Sequence, residues 1–364
     1  MQLRFELRSL SKSLNILCSF ITVLVVPCLT QMSEECVCLQ RKANSLLNPV
    51  YLQQALDENN RFYVAEQYGV IHQYSPSWTK EENSILLDIS SDVVHDGTLL
   101  DERGLLGFTL HPDYNRNRKL YLYSIRKYNQ NDYAYVTEVI LGEKNGKYTE
   151  NVLLAIKQPH HQRNGGQILF GKDNFLYIFV GDGGSEDGSS DAHTNLAQNS
   201  SSLLGKILRI DVSNYDIVSD RPQNYRVPND NPFVNNASWL PEIYAYGCRN
   251  MWRCSVDMEN EVLPIYTYNY KQFSAVIGGY VYRGKVLSKL FGKYLFADVA
   301  FSEFYTLIRN NSQWITGNVS VCPEEMCPCN ARSQPGMSLI SFGQDNQEKQ
   351  VLHAVPQEFG SMFT

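Results

Sequence analysis

Asp182, Glu186, Asp187 and Asp191 stand in one glycine-rich stretch of this 364-residue chain and offer a set of candidate oxygen ligands. Carboxylates at such spacing suit two chemistries. They can surround a hard cation, and calcium takes about 6–8 oxygens. They can also present negative charge to a partner. A solvated acidic loop accounts for the same residues with no ligand at all. Cysteines form a second set. Two of the nine, Cys18 and Cys28, fall in a leader-like N-terminus, leaving Cys36, Cys38, Cys248, Cys254, Cys322, Cys327 and Cys329. In an oxidising compartment an odd number predicts at least one unpaired thiol or an intermolecular bridge. The Cys322-x4-Cys327-x-Cys329 spacing has no histidine pair nearby to complete the four ligands of a zinc site. A third set is the sequons Asn199-Ser-Ser, Asn236-Ala-Ser, Asn310-Asn-Ser and Asn318-Val-Ser, each a potential glycan acceptor on a secretory route.

The N-terminus agrees with that route. Arg4, Arg8 and Lys12 precede an apolar run over residues 16–26, which turns polar at Thr30 and Gln31. Eleven residues are too few to span hydrocarbon, which needs about 20 in a helix. The pattern predicts a signal peptide over residues 1–31, cleaved between 31 and 33, and a mature domain over 32–364. An uncleaved anchor extended by Leu14 and Leu29 is the alternative, and Pro27 argues against it. No later segment is long and apolar enough to cross a membrane, so the expectation is a secreted, extracellular protein. A net charge of -6 without basic clusters argues against nucleic-acid binding, which relies on Lys and Arg to displace counterions.

These residues have to be positioned by strands. Arg61-Phe-Tyr-Val-Ala-Glu, Lys119-Leu-Tyr-Leu-Tyr-Ser, Phe175-Leu-Tyr-Ile-Phe-Val and Gly278-Gly-Tyr-Val-Tyr-Arg are short, rich in aromatic and β-branched residues, and bounded by Gly, Asn and Asp. No amphipathic helix of three turns is evident, so the class is all-β. Long polar loops are expected at 181–199 and 219–236. Ile168-Leu-Phe-Gly-Lys-Asp-Asn returns as Leu339-Ile-Ser-Phe-Gly-Gln-Asp-Asn, each reading as a strand running into a turn. Such recurrence fits propeller blades, although a sandwich would also allow it.

A family resemblance rests on runs in one order. They include Phe62-Tyr-Val-Ala-Glu-Gln-Tyr-Gly, Asp101-Glu-Arg-Gly-Leu-Leu-Gly-Phe, Asn164-Gly-Gly-Gln-Ile-Leu-Phe-Gly and Gly181-Asp-Gly-Gly. Leu203-Leu-Gly-Lys-Ile-Leu-Arg-Ile-Asp-Val, Val227-Pro-Asn-Asp-Asn-Pro-Phe, Tyr246-Gly-Cys-Arg-Asn-Met-Trp-Arg-Cys and Gly278-Gly-Tyr-Val-Tyr-Arg-Gly follow. With them the chain resembles the Hedgehog-interacting-protein-like branch of the glucose/sorbosone dehydrogenase, or soluble quinoprotein, family. The resemblance implies a six-bladed β-propeller. It further implies bacterial relatives that oxidise sugars with pyrroloquinoline quinone and calcium, and animal relatives that bind Hedgehog.

In the family's enzymes a histidine two positions ahead of a Gly-Gly pair takes the hydroxyl proton. Here the pair is Gly165-Gly166 and that position holds Arg163, whose guanidinium (pKa above ~12) accepts no proton. His161 lies two residues upstream and could stand in only if the loop rearranges; otherwise His160 and His161 are exposed loop residues. Arg249-Asn250 matches a pair that contacts the quinone in the enzymes, and it could equally serve as a structural ion-pair and turn element. The calcium-binding run that the family places after the Trp-Arg-Cys segment is absent. Asp257 passes through Met258-Glu-Asn-Glu-Val straight into Leu263-Pro-Ile-Tyr. A blade's worth of chain, about 40–50 residues, is missing by that comparison, and with it the family partner of Cys254. The propeller is therefore expected to be incomplete and to expose apolar surface beside Asp257. In the Hedgehog-binding relative, a loop at the place of 182–191 offers an aspartate to the ligand's zinc, so that loop is the candidate partner loop here.

Three functions remain: a non-catalytic extracellular binding protein needing no cofactor, a quinone- and calcium-dependent sugar dehydrogenase, and a shortened form of an otherwise intact relative. Arg163 and the absent calcium run favour the first over the second.

Overall fold

The computed structural model describes residues 46–255, apart from loops at 56–58, 78–79, 98–100, 143–146, 185–194 and 214–223. Beyond that span it describes the strands and short connections named below. Three short strands come first: β1 (Gln2–Arg4), β2 (Cys36–Val37) and β3 (Gln40–Ala43). Then follow β4 (Pro49–Gln54), β5 (Phe62–Glu66), β6 (Val70–Tyr74) and β7 (Lys80–Asp88). Next are β8 (Leu105–Leu110), β9 (Lys119–Tyr128), β10 (Asn131–Leu141) and β11 (Tyr148–Gln158). The next four are β12 (Gly165–Phe170), β13 (Leu176–Val180), β14 (Lys206–Ile210) and β15 (Ile243–Tyr246). Last come β16 (Val276–Val281), β17 (Tyr294–Asp298), β18 (Glu303–Asn310), β19 (Gln313–Val321), β20 (Met337–Gln344) and β21 (Gln350–Pro356). Among the described residues the α-helical part is a single turn at Tyr114–Asn117.

The chain forms two units, Leu46–Val262 and Met1–Ser45 with Leu263–Thr364. The first holds three four-stranded antiparallel sheets, each made of consecutive strands: β4 to β7, β8 to β11 and β12 to β15. This up-and-down arrangement is that of propeller blades. Local chemistry sets the hairpins. Tyr128 pairs with Asn131 across Asn129 and Gln130, both at positive φ, the conformation that a two-residue hairpin matching strand twist requires. The repeat beginning at Ile168 closes β12 on β13 as an Asx turn, with Phe175 N–H donating to Asp173 Oδ1 at 3.1 Å.

Burial orders the strands within a blade. All six residues of β8 are buried, which marks it as an inner strand, whereas β11 alternates exposed and buried positions toward its end, as one solvated face demands. One core cluster joins the first and second sheets through Tyr63, Ile71, Leu87, Phe108 and Leu122. A second joins the second and third through Tyr121, Tyr123, Ile168, Ile178 and Leu208. The inner strands approach closely. A Cβ on Gly107 of β8 would run into the carbonyl oxygen of Gly166 in β12, so only glycine fits. Arg253 ties inner strands together, its Nη2 donating to the carbonyls of Val50 (2.6 Å) and Leu106 (3.0 Å).

In the second unit β16 to β19 form an antiparallel sheet that β2 extends by parallel pairing with β19, and β20, β21, β1 and β3 form another. Cys322 is buried and disulfide-bonded, and its partner lies outside the residues whose side chains are described. Of the expected leader only Gln2–Arg4 is among the described residues, and residues 256–275, on which the expectation of a missing blade falls, lie outside them.

Candidate functional site

The chemistry-bearing residues of the first unit gather at one rim. Glu102 precedes β8, Arg163 precedes β12, Asp182 follows β13, and Arg249 and Asn250 follow β15. In an antiparallel meander the starts of a sheet's first and third strands share an edge with the ends of its second and fourth. Four separate loops therefore converge on one place, as functional loops on a rigid scaffold do.

Arg163 is the centre of that convergence. It adopts a left-handed backbone conformation, φ 55°. Its N–H donates to Glu102 Oε2 at 2.7 Å, and its carbonyl accepts from the Gly183 N–H at 3.1 Å. Its Nη1 meets Asp182 Oδ2 at 3.2 Å. Gly181 makes this crossing possible, since a Cβ there would collide with the Arg163 carbonyl. Asp182 is further held by its own N–H, which donates to the Arg249 carbonyl at 2.7 Å, and by Oδ1, which accepts from Gly184 N–H at 3.0 Å. Asn250 uses both ends of its amide. Oδ1 accepts from Gly165 N–H at 2.9 Å, and Nδ2 donates to Glu102 Oε2 at 3.2 Å. Burial pushes the Glu102 carboxyl above its ordinary value, outweighing the Arg163 amide and the Asn250 side chain that favour its charged form.

Sequence reading singled out Arg163, Asp182, Arg249 and Asn250 separately, and the fold brings them into one network. Of the acidic loop, Asp182 is described, and its side chain is engaged by Arg163 and Gly184. Glu186, Asp187 and Asp191 lie outside the described residues. Arg249 is exposed and anchors the network through its backbone, while Asn250 acts as a tie between loops. His161 is exposed, and its carbonyl accepts from the Glu102 N–H at 3.3 Å. Glu102 went unassigned by sequence reading, although it stands inside one of the quoted runs. Nothing local marks it out, because it stands between two other charged residues, Asp101 and Arg103. Among the described residues no group of three or more His, Cys, Asp or Glu side chains is arranged to hold a metal.

Asn199, Asn236, Asn310 and Asn318 are all exposed. Cys248 and Cys254 are free thiols, and burial pushes Cys254 up to about 12. No helix among the described residues is long and apolar enough to cross a membrane.

Residues 48–268 match the Glucose / Sorbosone dehydrogenase family, and the chain belongs to it. It is 32% identical over 282 residues to HIPL2 protein of Arabidopsis thaliana, covering 56% of this chain and 40% of that protein. It is 28% identical over 360 residues to Hedgehog-interacting protein of Mus musculus, covering 86% of this chain and 49% of that protein. The chain thus spans half or less of the length of these relatives. Its fold is similar to that of the soluble aldose sugar dehydrogenase of Escherichia coli in its apo-form (TM-score 0.56, 16% identity, 85% of this chain and 97% of that one). It is also similar to the PQQ-bound aldose sugar dehydrogenase of Streptomyces coelicolor (TM-score 0.52, 16% identity, 86% and 95%). These likenesses establish an all-β, propeller-type fold.

Proposed function

We propose that the chain is a secreted, glycosylated and non-catalytic propeller that binds an extracellular protein and needs neither quinone nor calcium. One observation carries the reading. Arg163 stands where the resembling enzymes place their proton acceptor, and it is fixed there by Asp182 at 3.2 Å. A guanidinium has no lone pair to accept a proton, so the residues present do not fit the quinone chemistry of the dehydrogenases. The relatives named for Hedgehog interaction supply the class of partner, and the four exposed sequon asparagines support the secretory route.

The test is reconstitution of the full chain with pyrroloquinoline quinone and calcium, followed by dye-linked assay over a panel of aldoses. No turnover is expected, and Arg163→His alone should restore none. A rate that saturates with added quinone would overturn the reading. A second reading, quinone-dependent aldose oxidation, is favoured by Glu102, a partly buried carboxyl that accepts from the Arg163 N–H and whose desolvation raises its pKa. The same assay separates it, because Glu102→Gln would then abolish the turnover.

A further inference from the structure

Asn236 is the third residue after Phe233 and the third before Trp239, and its backbone is bonded to both. Its N–H donates to the Phe233 carbonyl at 2.9 Å, closing a reverse turn, and its own carbonyl accepts from the Trp239 N–H at 2.9 Å. The side-chain Oδ1 accepts from the Ser238 N–H at 3.1 Å. Residues 235–238 are all exposed. The Phe233 and Trp239 rings stack on each other, centroids 4.2 Å apart and 12° from parallel, and Tyr246 lies 4.7 Å from Trp239. Phe233 and Trp239 pack against the core cluster yet remain only partly buried, and Tyr246 is 46% exposed. The sequon therefore sits on a turn whose two flanks carry an aromatic platform, fastened to the core beneath and wet above.

We propose that Asn236 carries an N-glycan whose first N-acetylhexosamine packs on the platform of Phe233, Trp239 and Tyr246 and stabilises the fold. The inference rests on the secretory part of the function proposed above. Aromatic faces carry negative charge density, and the ring C–H bonds of a pyranose present the complementary positive edge. Covering the rings also removes apolar surface from water. The turn holds the attachment point beside the rings before any sugar arrives, so little entropy is lost on docking. Asn199 shows what a plain sequon looks like. Its Oδ1 likewise accepts from Ser201 N–H, at 2.9 Å, with no ring stack at its flanks among the described contacts.

The experiment uses the full chain from a secretory eukaryotic host. Ser238→Ala deletes the acceptor motif while keeping Asn236 and the backbone donor of its turn. Glycopeptide mass spectrometry should find Asn236 occupied in the wild type. Ser238→Ala should lower Tm by about 2–4 °C, and Ser201→Ala should leave it within about 1 °C. Trimming the wild-type glycans to a single sugar with an endoglycosidase should preserve the higher Tm. Should Ser238→Ala not be secreted, the single-sugar wild type compared with fully deglycosylated wild type reads the same quantity. Occupancy at other sequons with Asn236 bare would overturn the inference alone. So would an unchanged Tm in Ser238→Ala, or a loss of Tm on trimming. A product bare at all four sequons would overturn it together with the secretory reading.

Discussion

Arg163 and Asp182 stand on loops that lead into one strand and out of its neighbour, and their side chains meet with Nη1 and Oδ2 3.2 Å apart while both are largely shielded from water. The pair joins β12 to β13 above the last ladder bond, and Asp182 then passes the connection on to Arg249 through its backbone. It is a clamp on the rim of the third sheet.

Asp182→Ala breaks that clamp. It leaves a mostly buried guanidinium short of one partner and the Gly184 N–H without its carboxylate acceptor. Breaking such a pair costs less than a fully buried one because each side chain still touches water. A loss of about 1–2 kcal/mol is expected, read as a lower urea midpoint at unchanged slope. An unchanged midpoint would mean the pair contributes no net stability.

Glu102 makes stability depend on pH in a defined direction. Burial raises its folded value above the ordinary 4.5, so the folded chain holds the proton to higher pH than the unfolded chain does. Between those two values unfolding releases the proton, and stability falls as pH rises. Glu102→Gln keeps an oxygen to accept from Arg163 and Asn250 but carries no charge. Denaturation curves taken in steps upward from pH 4 should show the variant gaining on the wild type, with the two converging below 4.5. A constant offset across the range would refute the assignment.

Gly181→Ala tests the close crossing of loops. The added Cβ meets the Arg163 carbonyl, a backbone atom held by its own bond to Gly183, so it cannot swing away. Overpacking of this kind costs about 1–3 kcal/mol. Thermal melts should place the variant well below the wild type. Gly181 is not among the glycines at positive φ, so the loss reads the steric contact alone.

Cys248 and Cys254 should react slowly. Burial raises both thiols, Cys254 to about 12, which keeps them protonated and poorly nucleophilic at neutral pH. Iodoacetamide labelling followed by peptide mapping should find each at least about tenfold slower in the native protein than in denaturant. Rapid native labelling of Cys254 would contradict its burial.

The amino-acid order by itself determined the strand segments and their turns. Alternation and β-branching act between neighbours along the chain, so Phe62–Glu66, Lys119–Tyr128 and Leu176–Val180 emerge close to where local pattern places them. It also determined the family, because the glycines and the runs around them answer to backbone geometry that any member must share. That position 163 holds no proton acceptor was legible too, since a side chain's ability to accept a proton is a property of its type. What Arg163 does instead was not legible. Its partners, at 102, 182 and 183, are brought to it by the meander topology, and no periodicity along the chain encodes a contact across it. The same reason hid the role of Glu102, whose raised pKa comes from burial by loops distant in sequence. It also hid the platform at Asn236, where Tyr246 reaches Trp239 only because β15 turns back beside the loop that precedes it.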